Sequence, residues 1–287
     1  MKLSIIALFL LIFNSHDFSQ INSIMKKFEY RSHTFDTTTI PYGIFIPSQN
    51  EKNVCPLIIA LHGAGERGND NEVQIKYNSL ATVWADSANQ ANDPCFVIAP
   101  QCPKENKWVD VNWELGTFDF KLTPISNELA AVNDLIEETI KKYPIDKTRI
   151  YVTGLSMGGY GAWYMLMNYP NRFAAAIILC GGSDPQMACE IMHIPIWNFH
   201  GDVDKAVLVE GSRLMIDAFG KCGKNALLVP DPNIKDVLEN EDLTKKIMSS
   251  DLIYTEYKNK GHAVWNESYQ NPLVRKWLFS KRNKKSE

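Results

Sequence analysis

The sequence predicts an α/β protein with a mostly parallel central sheet, helices on both faces and an antiparallel N-terminal hairpin. Three observations predict it. Short apolar runs of strand length alternate with segments of helical period along most of the chain. The two earliest strand-like runs are separated only by a turn at Asp36. A third feature is the stretch Ile150-Tyr151-Val152-Thr153-Gly154-Leu155-Ser156-Met157-Gly158-Gly159. There an apolar strand breaks at glycine, presents one serine and leaves through small residues into a helix.

Length and composition bound the possibilities. The 287 residues, 45% of them hydrophobic, suffice for a sizeable core. A formal net charge of -3 and the lack of a dominant basic run argue against nucleic acid as a partner. The basic cluster Lys281, Arg282, Lys284 and Lys285 reads as a solvated, frayed tail. At the other end, Lys2 precedes the apolar run Leu3 to Phe13, and polar residues follow to Gln20. The run is shorter than the ~20 residues a membrane span needs and fits a secretory signal. The expected organisation is a signal over residues 1–20, cleaved near Ser19 or Gln20, and one domain over 21–287. The protein is then exported to a bacterial periplasm or the medium, with no stable membrane insertion after cleavage; a retained N-terminal anchor is the alternative. Oligomeric state is not legible. Six cysteines in an exported protein permit disulfides. Cys95 with Cys102, and Cys180 with Cys189, are the sequence-local pairs; connectivity does not follow from spacing, the former is the local candidate for a bridge, and six free thiols are the alternative.

Taken in order, Lys27 to Phe35 and Thr39 to Ile46 form the edge hairpin. The continuous apolar run Cys55 to Leu61 reads as a strand buried on both faces. It feeds the loop His62-Gly63-Ala64-Gly65-Glu66-Arg67-Gly68. Residues 71 to 88 read as helix, and Cys95 to Pro100 as the next buried strand. The segment 101 to 124 has no clear period and carries Trp108, Trp113, Phe118 and Phe120, which marks it as a functional loop. Leu129, Val132, Ile136 and Ile140 then recur at helical spacing up to Tyr143-Pro144. Beyond the serine turn and its helix, strands follow over 172–179, 194–199 and 252–257. A helix over 209–219 lies between the last two, and another around 272–279 closes the chain. Residues 225 to 250 break the rhythm and read as an insertion over or beside the site, without its own core.

Gly154-Leu155-Ser156-Met157-Gly158 has the form of a nucleophile elbow, in which a sharp strand-to-helix turn lifts the serine hydroxyl clear of the sheet. Serine is a poor nucleophile at neutral pH and needs a base within hydrogen-bond reach. Of the six histidines, His62, His200 and His262 fall at strand ends. His62 belongs to the glycine-rich loop as a hydrogen-bonded organiser, and His200 precedes a turn glycine. His262 is therefore the expected base. Asp204, in His200-Gly201-Asp202-Val203-Asp204, is expected to orient it, while Asp202 completes the turn. Acyl transfer also needs two N–H donors for the oxyanion. Met157, which follows the serine, supplies one, and the loop after the earlier strand supplies the other, through Ala64 or else Gly65. That loop lacks the Lys-Ser/Thr ending of a phosphate cradle. Glu66 and Arg67 read as a structural ion pair. No metal-ligand spacing or dinucleotide fingerprint occurs, so neither metal nor cofactor is expected. Trp265, Trp108 and Trp113 are the expected substrate-binding aromatics, since all could reach one edge of the sheet.

The order Ser, acid, His is that of α/β-hydrolases. Leu61-His62-Gly63-Ala64-Gly65-Glu66-Arg67-Gly68, Ala99-Pro100-Gln101-Cys102-Pro103, the Ser156 elbow, His200-Gly201-x-x-Asp204 and Gly261-His262-x-x-Trp265 together resemble the exported esterases labelled predicted peptidases. That group is related to feruloyl esterases, polyhydroxybutyrate depolymerases and dienelactone hydrolases. The resemblance covers roughly residues 30 to 279. It implies Ser156 as nucleophile, Asp204 as acid, His262 as base and Met157 with Ala64 around the oxyanion. The segment 225 to 250 is longer than the connection in the group. The expected activity is hydrolysis of small-molecule or polysaccharide esters, feruloyl or acetyl. A peptidase of the same fold and a catalytically silent binding protein are the alternatives.

Overall fold

The computed structural model describes residues 15–48, 54–229 and 240–284. Its frame is a nine-stranded sheet in the order β1-β2-β4-β3-β5-β6-β7-β9-β8. The strands are β1 (Phe28–Phe35), β2 (Thr38–Phe45), β3 (Cys55–Leu61), β4 (Phe96–Pro100), β5 (Ile145–Leu155), β6 (Ala175–Leu179), β7 (Ile196–Gly201), β8 (Leu227–Leu228) and β9 (Leu252–Tyr257). β1 and β2 form the antiparallel hairpin, turning at Asp36 with φ 52°, and β2 also pairs antiparallel with β4. All remaining neighbours are parallel.

Among the described residues the α-helices are α1 (Ser15–Met25), α2 (Val73–Lys76), α3 (Thr82–Ala85), α4 (Ser87–Asn92), α5 (Asn127–Lys142), α6 (Met157–Asn168), α7 (Ala188–Ile191), α8 (Val209–Lys221), α9 (Glu241–Ser249), α10 (Trp265–Gln270) and α11 (Pro272–Ser280). Strand alternation sorts the core into two layers. In β3, Leu57, Ile59 and Leu61 pack with α5, α6 and α8 through Val132, Trp163 and Phe219. Ile58 and Ala60 point to the other face, where Trp84 and Trp277 lie. Helix α5 begins where the Ser126 hydroxyl accepts the Leu129 N–H at 3.1 Å, and it ends at Tyr143 before Pro144.

Several expectations are corrected. The helix expected over 71–88 is three short pieces, because Asn78 and Ser79 adopt positive φ (65° and 58°) between the first two and Asp86 is extended (φ -61°, ψ 138°) between the last two. The 225–250 segment contributes to the core: β8 extends the sheet beyond β9, and Ile247 of α9 is buried among residues packed on α11. Residues 230–239 lie outside the described residues. The basic tail does not fray at its start. Lys281 bonds to Asp251 at 2.7 Å, and the Asn283 N–H donates to the Thr148 carbonyl at 2.8 Å. Residues 1–14 of the expected signal lie outside the described residues, and Ser15 to Gln20 begin α1, whose Ile24 is buried. Among the described residues no helix is long and apolar enough to cross a membrane.

The disulfide is Cys189–Cys222, which ties α7 to the end of α8 with Cα atoms 5.4 Å apart. Cys95 and Cys102 are both free and buried. The extended strand β4 separates them, and at about 3.3 Å per residue it holds them far beyond the ~7 Å limit for bridging. Cys180 is also free. Thiol titration of the unfolded, unreduced protein is expected to find four thiols. Reduction should lower stability by about 3 to 4 kcal/mol, the chain-entropy value for a loop of this length. Six titratable thiols would contradict the pairing.

Candidate active site

The parallel strands end on one edge of the sheet, so residues distant in sequence meet there. β5 ends in the elbow. Ser156 has φ 54° and ψ -121°, a strained conformation for a residue with a side chain. Three backbone hydrogen bonds pin it: its N–H donates to the Leu179 carbonyl at 2.9 Å, and its own carbonyl accepts the N–H groups of Gly159 at 2.8 Å and Tyr160 at 3.1 Å. The turn closes because glycines stand where helix meets strand. A Cβ on Gly154 would overlap the Gly158 carbonyl, and one on Gly158 would overlap the Leu61 carbonyl at the end of β3.

Asp204 follows β7 and His262 follows β9. The Ser156 hydroxyl lies 2.7 Å from His262 Nε2, and His262 Nδ1 lies 2.6 Å from Asp204 Oδ2. A neutral imidazole bearing its proton on Nδ1 donates to the carboxylate and accepts from the serine. The other carboxylate oxygen accepts the N–H groups of Ala206 at 2.8 Å and Val207 at 3.1 Å. Burial alone would raise the Asp204 carboxyl. Hydrogen bonds from His200, His262 and Val207 outweigh it and hold the group well below the usual carboxylate range. Asp202 stands apart, its N–H on the Tyr257 carbonyl at 3.0 Å.

The loop after β3 lies directly against the serine. A Cβ on Gly63 would sit 3.6 Å from the Ser156 Cβ, and Ala64 opens the next short turn. Met157 is the first residue of α6, where N–H groups have no carbonyl one turn back to receive them. His62 braces the loop. Its Nδ1 donates to the Gly63 carbonyl at 2.6 Å, and its Nε2 accepts the Cys102 N–H at 2.9 Å. Burial pushes this imidazole down to about 4, which keeps it neutral. The expected Glu66–Arg67 pair does not form, because the two side chains leave the turn in different directions. Glu66 accepts from Asn78 at 2.9 Å, whereas Arg67 donates to the Ala64 carbonyl at 3.0 Å.

The three tryptophans differ. Trp265 starts α10 with its ring edge-on to His262, centroids 5.2 Å apart. Trp113 is half-buried beneath Arg67 and Lys107, and its carbonyl accepts the Tyr160 hydroxyl at 2.9 Å. Trp108 is corrected to a core residue. It is fully buried and donates its Nε1 proton to the His62 carbonyl at 3.0 Å, so no substrate can reach it.

Two neighbours of Asp204 are not foreseen from the sequence. Cys180, at the end of β6 with φ 46°, is buried, and its thiol lies 3.3 Å from the His262 carbonyl oxygen. Its sulfur, the Asp204 carboxylate and the His262 ring lie within 4.8 Å of one another, the spacing of a metal-ligand set. Burial drives the thiol pKa well above its ordinary value, so the sulfur stays protonated, while acid and imidazole are bonded to each other. His200, read as a turn residue, bonds to Asp204. Its place at the end of an apolar strand, two residues before the turn, was the available signal.

A model of the phospholipase/carboxylesterase family matches residues 44–270. The chain is 30% identical over 139 residues to poly(3-hydroxyalkanoate) depolymerase C of Paucimonas lemoignei, covering 48% of this chain and 30% of that protein. It is 30% identical over 144 residues to acetylxylan esterase A of Emericella nidulans, covering 50% of this chain and 43% of that one. The aligned segments thus span less than half the length of these curated relatives. Among solved structures, a thermostable esterase superposes with a TM-score of 0.76 at 34% identity, covering 91% of this chain and 64% of that one. The family match, running from β2 through the elbow to α10, joins the fold and the residues at its strand ends: the chain belongs to the phospholipase/carboxylesterase family of α/β-hydrolases.

Proposed function

We propose that the protein is a serine carboxylic-ester hydrolase working through an acyl-enzyme. The observation that carries this reading is the unbroken line from the Ser156 hydroxyl to His262 at 2.7 Å and on to Asp204 at 2.6 Å. In this reading Ser156 Oγ attacks the ester carbonyl as His262 Nε2 takes its proton. The developing oxyanion takes N–H bonds from Met157 and Ala64. Collapse of the tetrahedral intermediate breaks the C–O bond, and His262 returns the proton to the departing alcohol. Water, deprotonated by His262, then attacks the acyl-serine and releases the acid. Asp204 holds the Nδ1–H tautomer and stabilises the imidazolium in each half.

For the substrate we propose a carbohydrate-linked ester, acetyl or feruloyl. Support comes from the Trp265 ring beside the base, the half-buried Trp113 and the likeness to an acetylxylan esterase. Aromatic faces suit a cinnamoyl-type acyl group or the apolar face of a sugar. Export is part of the proposal, supported by the Cys189–Cys222 bridge and the apolar run Leu3 to Phe13. Acetyl xylan, methyl ferulate, nitrophenyl esters of rising acyl length and dipeptides should be compared as substrates. Activity is expected to fall steeply beyond a few acyl carbons. Trp265→Ala should raise KM roughly fivefold, about 1 kcal/mol of stacking, with folding retained. Faster hydrolysis of long-chain esters or peptides than of acetyl and feruloyl esters would reject the substrate assignment.

A further inference from the structure

His200 ends β7 wholly buried, and the catalytic scheme leaves it without a part. Its Nε2 faces two acceptors, Asp204 Oδ2 at 3.1 Å and the Val207 carbonyl at 3.0 Å. A nitrogen between two acceptors must carry a proton, so Nε2–H donates to the acid. On the far side of the ring, Nδ1 lies 2.8 Å from the hydroxyl of Ser212, itself buried in α8. The oxygen that takes the His200 proton is the one that takes the His262 Nδ1 proton. With Ala206 and Val207 on Oδ1, the carboxylate is clamped at both oxygens.

Resting on the ester-hydrolase reading above, we propose that His200, backed by Ser212, is a positioning residue that fixes the Asp204 carboxylate and sets how strongly it supports the His262 imidazolium. A donor on the shared oxygen withdraws negative charge that His262 would otherwise draw on. His200 therefore keeps the base less basic than an Asp-His pair standing alone, and keeps Oδ2 aligned with Nδ1. The sign is the same whether His200 is neutral or charged, since either form donates from Nε2.

Other titratable groups face these bonds. Cys180 from β6 and Tyr160 from α6 are held protonated by burial. Glu256 from β9 is held below its ordinary range by Arg213, which bonds to it at 2.6 Å, and Tyr254 beside it is held protonated by burial. None of these changes charge across the neutral range.

The test compares His200→Phe, which keeps a ring and removes the donor, with His200→Gln, whose amide N–H can stand near the Nε2 position. In full-length protein assayed on nitrophenyl acetate, His200→Phe is expected to lower kcat on the order of tenfold to a hundredfold, the effect of a hydrogen bond to a charged group. KM should change little, and the acid limb should move to higher pH. His200→Gln should recover most of the rate and the limb. A folded His200→Phe variant with wild-type limb and kcat within about twofold would overturn the proposal. If that variant does not fold, Ser212→Ala serves, because it frees the imidazole while keeping it in place. A smaller shift in the same direction supports the proposal, and an unmoved limb overturns it. NMR titration of the His262 imidazole reads the same shift without turnover. Wild-type protein that hydrolyses no ester would fail the functional reading alone, and the titration would still decide the role of His200.

Discussion

Asp204→Asn is expected to lower kcat on the order of 10⁴-fold with the fold intact. The carboxylate accepts from His262 Nδ1 at 2.6 Å and from His200 Nε2 at 3.1 Å through one oxygen, and from two backbone N–H groups through the other. An amide can keep its oxygen on the backbone donors, but its NH₂ then faces His262. The imidazole turns its lone pair on Nδ1 toward that donor, places its proton on Nε2 and can no longer accept from Ser156. Asp202 is two residues away in the same turn, yet its N–H serves the Tyr257 carbonyl and it makes no bond to His262. Asp202→Asn should leave turnover near wild type. Steady-state kinetics of the two variants decide between them, and a deeper loss in Asp202→Asn would reverse the assignment.

Gly158→Ala is expected to be the most damaging single methyl in the chain. The added Cβ would overlap the Leu61 carbonyl and approach the His62 carbonyl oxygen to 2.7 Å. Both belong to backbone at the end of β3, in the middle of the sheet, so no flexible side chain can yield. Either α6 lifts from the sheet or β3 shifts with the loop it carries. Overpacking of this kind costs about 3 kcal/mol or more. A displacement of about 1 Å between Ser156 and the donors of that loop would cost roughly 10²-fold in rate. Gly65→Ala is the control, since a Cβ there meets nothing within 4 Å. Thermal unfolding should show a large loss for Gly158→Ala and almost none for Gly65→Ala. Equal melting temperatures would contradict the close approach of helix and strand.

The sheet and the elbow were legible because each rests on local pattern. Continuous apolar runs such as Cys55 to Leu61 mark strands covered on both faces, and Gly154 and Gly158 flank Ser156 for a steric reason that any sequence must respect. Asp204 and His262 could be expected to meet Ser156 because each follows a strand, and parallel strands end together. What escaped the sequence depends on contacts between distant segments. Trp108 looks like a loop aromatic until its indole N–H is found on the His62 carbonyl. The partner of Cys189 is 33 residues away, across the junction of α7 and α8. The two residues of β8 are too few to carry a strand signature, although they extend the sheet beyond β9. Asn78 and Ser79 interrupt a helical pattern by adopting a backbone conformation that their residue types only mildly favour. His200 stands next to a glycine in the sequence, and its bond to Asp204 emerges only when the turn is folded.

Covalent labelling asks whether Ser156 is the nucleophile. A fluorophosphonate reacts with a serine whose hydroxyl is activated by a bonded imidazole and whose oxyanion site is formed. The wild-type protein is expected to take up one label, with peptide mass spectrometry placing it on Ser156. Ser156→Ala should take up none, should lose on the order of 10⁴-fold or more in ester turnover, and should melt near the wild-type temperature. A label found on another residue, or Ser156→Ala protein that hydrolyses esters at close to the wild-type rate, would contradict the account.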